Sequence, residues 1–112
     1  MKHVFSVIVF LFLSSSWAFA QKMYEVDYES RADVSVFVVD YESLADLVVF
    51  KEDYESAARG NEGKWFFVDY ESTADFSVYF TKYESQADIK IFYADYESRA
   101  GWKKSSKKSL LD

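Results

Sequence analysis

One tripeptide, Tyr-Glu-Ser, returns six times in this chain at an odd interval, and that interval constrains the fold more than any other feature. It begins at Tyr28, Tyr41, Tyr54, Tyr70, Tyr83 and Tyr96, so successive copies lie 13, 13, 16, 13 and 13 residues apart. A fixed short period marks a chain built from one structural unit used repeatedly. Two residues after each serine stands an alanine: Ala32, Ala45, Ala58, Ala74, Ala87 and Ala100. Asp33, Asp46, Asp75 and Asp88 follow four of these, whereas Arg59 and Gly101 take that place in the third and sixth copies. Four residues before each tyrosine there is always an aromatic: Tyr24, Phe37, Phe50, Phe66, Tyr79 and Phe92.

Between these corners the residues suit strands. Segments 34–38, 76–80 and 89–93 are rich in β-branched and aromatic side chains, which fit a pleated surface. Val34, Val36, Phe76, Val78, Ile89 and Ile91 fall on one face, and Ser35, Ser77 and Lys90 alternate with them on an expected wet side. From the aromatic column onward apolar residues occupy both faces, so the strand middles are expected to be covered on both sides. Strand side chains alternate with a period of two, and an uninterrupted strand with a repeat of 13 would invert its faces at every copy. The columns keep their character instead. Each corner must therefore contain a bend or bulge that resets the parity. A helical reading fails, because apolar residues do not recur at helical spacing. Gly60, Asn61, Glu62 and Gly63 interrupt the rhythm as a loop, and Trp65 and Trp102 each follow a glycine closely, as closing positions would.

The start of the chain reads as an address. Lys2 and His3 precede an apolar run over residues 4–13, and a small-residue stretch ends in Ala18, Phe19 and Ala20, the form of a secretory signal peptide cut before Gln21. The run is about half the ~20 residues that a membrane-spanning helix needs. Residues 1–20 are therefore expected to be removed, the protein to be secreted or periplasmic, and residues 21–104 to form a single domain. No cysteine is present, although disulfides persist outside the cytoplasm, so stability must come from an aromatic-rich core. Residues 21–102 carry 8 Lys+Arg against 18 Asp+Glu, which argues against a nucleic-acid partner. Residues 105–112, with Lys107 and Lys108, read as a basic disordered tail.

Candidate chemistry is sparse. The single histidine, His3, lies in the leader, so a mature chain has neither histidine nor cysteine. That excludes the usual nucleophile–base pairs and ordinary zinc or copper ligation. A catalytic carboxylate pair requires two unlike environments, and six near-identical copies provide the opposite. No enzyme activity, catalytic residue or cofactor is expected. The alternatives are a calcium site built from Glu29, Glu42, Glu55, Glu71, Glu84 and Glu97, or glycan binding through exposed Tyr and Trp. The structural reading of the motif assigns burial to the rings of Tyr28, Tyr41, Tyr54, Tyr70, Tyr83 and Tyr96. It gives Ser30, Ser43, Ser56, Ser72, Ser85 and Ser98 local bonds to the backbone, gives the glutamates backbone N–H partners, and places the alanines where another strand crosses closely.

The repeated YES-x-AD corners, the interruption over residues 58–65 and the closing YESRAGW over residues 96–102 together resemble the septoil-knot domain family, first described as a domain of unknown function. The resemblance spans residues 22–104. It implies an all-β domain whose short strands, on the 13-residue repeat, wind into a compact knotted, torus-like body with seven crossings. It also implies a very stable monomer without an established activity. The residues taken alone are equally compatible with a small up-and-down β-barrel, although the regular corners lack the Asn-Gly or Gly turns that hairpins prefer. The functional expectation is a non-enzymatic, exported structural or interaction module.

Overall fold

The computed structural model describes residues 21–112; the expected signal peptide lies outside the described residues. Seven short strands follow one another: β1 (Lys22–Glu25), β2 (Val34–Val38), β3 (Leu47–Lys51), β4 (Lys64–Phe67), β5 (Phe76–Phe80), β6 (Ile89–Tyr93) and β7 (Gly101–Trp102). A three-residue 3-10 turn stands between each pair, starting in every case at the corner glutamate, for example Glu29–Arg31 and Glu42–Leu44. The turn is closed by two backbone bonds. In the first corner Arg31 N–H donates to the Tyr28 carbonyl and Ala32 N–H to the Glu29 carbonyl, both at 3.1 Å, and the other five corners repeat the pattern. This is the parity-resetting bend that an odd repeat demands.

The strands pair in the order β4-β1-β5-β2-β6-β3, and β3 pairs with β4 in turn, so six strands close into a barrel. Every pairing in that ring is parallel. The up-and-down alternative is thereby excluded, because parallel neighbours cannot be joined by hairpins. Each connection instead returns outside the barrel from the end of one strand to the start level of the next. From β1 to β2 the chain skips β5, from β2 to β3 it skips β6, and from β4 to β5 it skips β1. The returning corner packs on the strand it skips: the first on β5, the second on β6, the sixth on β3. Only β3 to β4 advances by a single place, and there the sequence carries its three-residue insertion. The chain thus travels almost twice around the ring, its second circuit interleaved with the first. β7 ends the path antiparallel on β3, pairing Leu47 with Trp102.

Inside the barrel lie Met23, Val34, Val36, Leu47, Val49, Trp65, Val78, Ile89 and Ile91, all essentially without solvent exposure. Each such aliphatic side chain contributes about 1.5–3 kcal/mol on burial. The opposite face of the strands carries the aromatic column Tyr24, Phe37, Phe50, Phe66, Tyr79 and Phe92, each half-buried on the side where the return segments run. Coverage of both faces follows from that outer layer. Two details differ from expectation. Ser35 and Ser77 do not face water but are buried, because corner side chains fold over them. Residues 105–112 are not a disordered tail: Ser105–Leu111 is a 3-10 helix, and Leu111 is 1% exposed within the core cluster. A single leucine with a barrel end to fill outweighs the lysines around it. Lys107 Nζ meanwhile bonds Asp46 Oδ2 at 3.1 Å and the Asp88 carbonyl at 2.8 Å. Since Asp46 and Asp88 immediately precede β3 and β6, the tail plugs the barrel where the strands begin.

Candidate functional site

The four aspartates that end the corners carry the junctions between strands. Asp33 N–H donates to the Ser77 carbonyl at 2.8 Å, and Ser77 N–H donates to Asp33 Oδ2 at 2.8 Å. Asp88 holds Ser35 in the same way, Asp46 holds Lys90, and Asp75 holds Lys22. Each aspartate thus grips both the N–H and the C=O of one residue on the neighbouring parallel strand. Charge-assisted bonds of this kind are about twice as strong as neutral ones. Arg59 and Gly101, which stand in for aspartate, occur where the chain departs from the regular unit, at the loop before β4 and at the antiparallel β7. Sequence reasoning attached the backbone bonds to glutamate and serine instead. The signal that could have separated them was there: aspartate is missing only at the two units that break the rhythm.

Four of the corner glutamates, Glu29, Glu42, Glu71 and Glu84, bind side chains and not backbone. Glu29 accepts from Ser35 Oγ at 3.2 Å and Glu71 from Ser77 Oγ at 3.3 Å, each reaching six residues ahead, and Lys90 approaches Glu84 at 3.5 Å at the same spacing. Arg31 bonds Glu71 at 2.7 Å, and Arg99 bonds Glu42, so two ion pairs tie one corner to another. The Arg99 guanidinium beside Glu42 lowers that carboxyl below its ordinary value, against a smaller opposing effect of burial. The six glutamates are distributed over separate corners. Among the described residues, no group of three or more His, Cys, Asp or Glu is arranged to hold a metal ion. The expected burial of the corner tyrosines is overturned: Tyr28, Tyr41, Tyr54, Tyr70, Tyr83 and Tyr96 are 64–74% exposed. Backbone bonds and the aspartate grips already shape the corner, so the ring has no packing role to fill and points outward. The corner serines are likewise exposed, and none of their hydroxyls forms a hydrogen bond among the described residues.

The two ends of the barrel differ. At the starting end Gln21, Asn61, Trp102 and the tail form one network. Gln21 Nε2 donates to Asn61 Oδ1 at 2.9 Å, Trp102 Nε1 donates to the same oxygen at 3.0 Å, and Asn61 Nδ2 donates to the Lys108 carbonyl at 2.9 Å. The finishing end is open, as a cleft of about 590 Å³. Its floor comes from the inward residues at the ends of the strands, Phe67, Phe80 and Tyr93, which pack against the core. Phe67 meets the buried Trp65 edge-on at 6.1 Å and Phe80 at 6.3 Å between centroids. Lys51 Nζ lies 4.7 Å from the Tyr93 ring centre and 5.5 Å from that of Phe67. Around it stand Glu25, Glu52, Asp53 and Asp69. Burial, reinforced by Glu25, pushes the Tyr93 phenol up to about 12. Burial and a hydrogen bond to Glu97 push Glu52 up to about 7. Of the positions that line this mouth, none belongs to the Tyr-Glu-Ser motif. Glu25, Lys51, Phe67, Phe80 and Tyr93 belong to the column three residues before each tyrosine, which varies too much to stand out in the sequence.

Comparison with known proteins gives one result. Residues 20–103 match the family described as the 7(1) septoil knot domain. Searches of curated proteins and of solved structures return no match.

Proposed function

The chain belongs to the septoil knot domain family, and from that premise we propose that it works as a non-enzymatic, exported interaction module whose six corners bind glycans at several points at once. One observation carries this reading: six tyrosine rings stand 64–74% exposed on identical turns, each beside an exposed serine. A flat aromatic face for stacking, with a hydroxyl and a carboxylate close by, suits the apolar face and the hydroxyl rim of a sugar. Repetition around a rigid body multiplies a weak single contact into useful avidity. Calcium binding through the corner glutamates has less support, because Glu29, Glu42, Glu71 and Glu84 already have serine, arginine or lysine partners. Export and a monomeric state are part of the same proposal.

A glycan array tests it, using the wild-type protein and a variant with all six corner tyrosines changed to serine. The expected result is multivalent binding by the wild type and loss of it in the variant, at an unchanged melting temperature. Absence of wild-type binding overturns the glycan reading. A large fall in melting temperature in the variant shows instead that the rings hold the fold.

A further inference from the structure

The barrel mouth is chemically unlike the corners. Its floor is aromatic, its wall bears Glu25, Glu52, Asp53 and Asp69, and the single cation among its lining residues, Lys51, lies over the rings. Aromatic faces carry negative quadrupoles and attract ammonium groups within about 6 Å of the ring centre. Both Lys51 distances satisfy that limit. Four carboxyl groups against one ammonium leave the mouth with an excess of negative groups. Lys51 itself is an exposed residue, so its ammonium can leave the floor without disturbing the core. The open volume of about 590 Å³ beside it falls within the range of small-molecule pockets. The opposite end of the barrel is filled by Leu111 and its neighbours, whereas this end is open to solvent.

We propose that the mouth is a binding site for a primary alkylammonium, with Lys51 as the resident occupant that an incoming amine displaces. The rings of Tyr93 and Phe67 receive the charged head, and the surrounding carboxylates supply hydrogen-bond acceptors. Competition by Lys51 weakens the site in the wild type, since a ligand finds it vacant only while the lysine is out.

The test titrates n-butylammonium and its neutral analogue n-butanol into wild type, K51A and K51A/Y93L. Fluorescence of Trp65, whose ring touches Phe67, provides the readout. K51A is expected to bind butylammonium saturably, about two- to five-fold more tightly than wild type, to ignore butanol, and to lose binding when Tyr93 is also replaced. A lysine-containing pentapeptide as a third probe decides the source: tighter binding than butylammonium identifies a protein partner, weaker binding a free amine. Equal response to amine and alcohol, or indifference to Y93L, overturns the proposal. Should K51A not fold, proton NMR of the wild type decides. The Lys51 side-chain methylenes, ring-shifted in the free protein, must move toward ordinary positions as butylammonium is added, and their failure to do so overturns the site.

Discussion

Aspartate and glutamate sit in the same corner and do different work because their reach differs. Asp33, Asp46, Asp75 and Asp88 have side chains short enough to hold the N–H of the adjacent strand at 2.8–2.9 Å while their own N–H holds the same residue's carbonyl. Replacing any one by alanine is expected to cost about 1–3 kcal/mol, read by denaturant unfolding. Asp46 should lie at the upper end, being 5% exposed and also bonded to Lys107. Replacing one corner tyrosine by serine should change stability by less than about 0.5 kcal/mol. Glu52 introduces a pH dependence. Its carboxyl is raised from 4.5 to about 7, by burial first and then by Glu97, so the folded state holds a proton that the unfolded state releases near 4.5. Its stabilising contribution is complete below that value and is lost as pH rises through about 7. The melting temperature should therefore fall across this window, and less so in E52Q or E97Q, since the two carboxyls titrate as a pair. A flat profile in the wild type contradicts the enclosed Glu52.

At the scale of elements, the loop before β4 and the final 3-10 helix are the two irregular pieces, and they meet. Asn61 links Gln21, Trp102, Lys108 and Asp112. Gly63 has φ of +85°, and a Cβ there would lie 2.3 Å from the Val48 carbonyl oxygen. G63A is expected to destabilise the protein by on the order of 3 kcal/mol or more, through strain and the displacement of β3. Deleting residues 105–112 removes Leu111 from the core and should cost about 2–5 kcal/mol; a change within error contradicts the plug. Strand existence and the corner bends were legible in the sequence, because β-branched columns and an odd period leave few options. The fate of the tail was not. Four lysines between residues 103 and 108 mask one leucine whose value depends on a cavity formed by residues far away in the chain.

For the whole molecule, parallel closure with skipped neighbours has kinetic consequences. Successive strands are never hydrogen-bonded except β3 with β4, so almost every pairing joins residues distant in sequence, such as Val34 with Val78. High sequence separation slows folding, and the second circuit must be laid between strands of the first. Refolding from denaturant is expected to be slow for a domain of this size, on the scale of seconds or longer. The folded protein should resist broad proteases for hours, because its backbone is enclosed on both faces and no exposed hairpin tip exists among the corners. Rapid digestion of the folded protein would contradict the stable-module reading.

The chain by itself determined the unit and not the order in which units meet. An odd repeat with unchanging columns requires a parity-resetting corner. Alternating Val and Ile define an inward face, and a sequence without cysteine, its one histidine being His3, offers few of the usual nucleophile–base pairs. These are local consequences of covalent geometry, side-chain period and functional-group inventory. Which strand lies beside which was decided only in three dimensions, since six similar units carry almost no information about pairing. So were the exposure of the tyrosines, the grip of the aspartates and the site at the mouth. Lys51, Phe67, Phe80 and Tyr93 come from four strands and become neighbours only when the ring closes. A column that looks irregular along the chain becomes a chemically distinct surface because closure sets its members side by side.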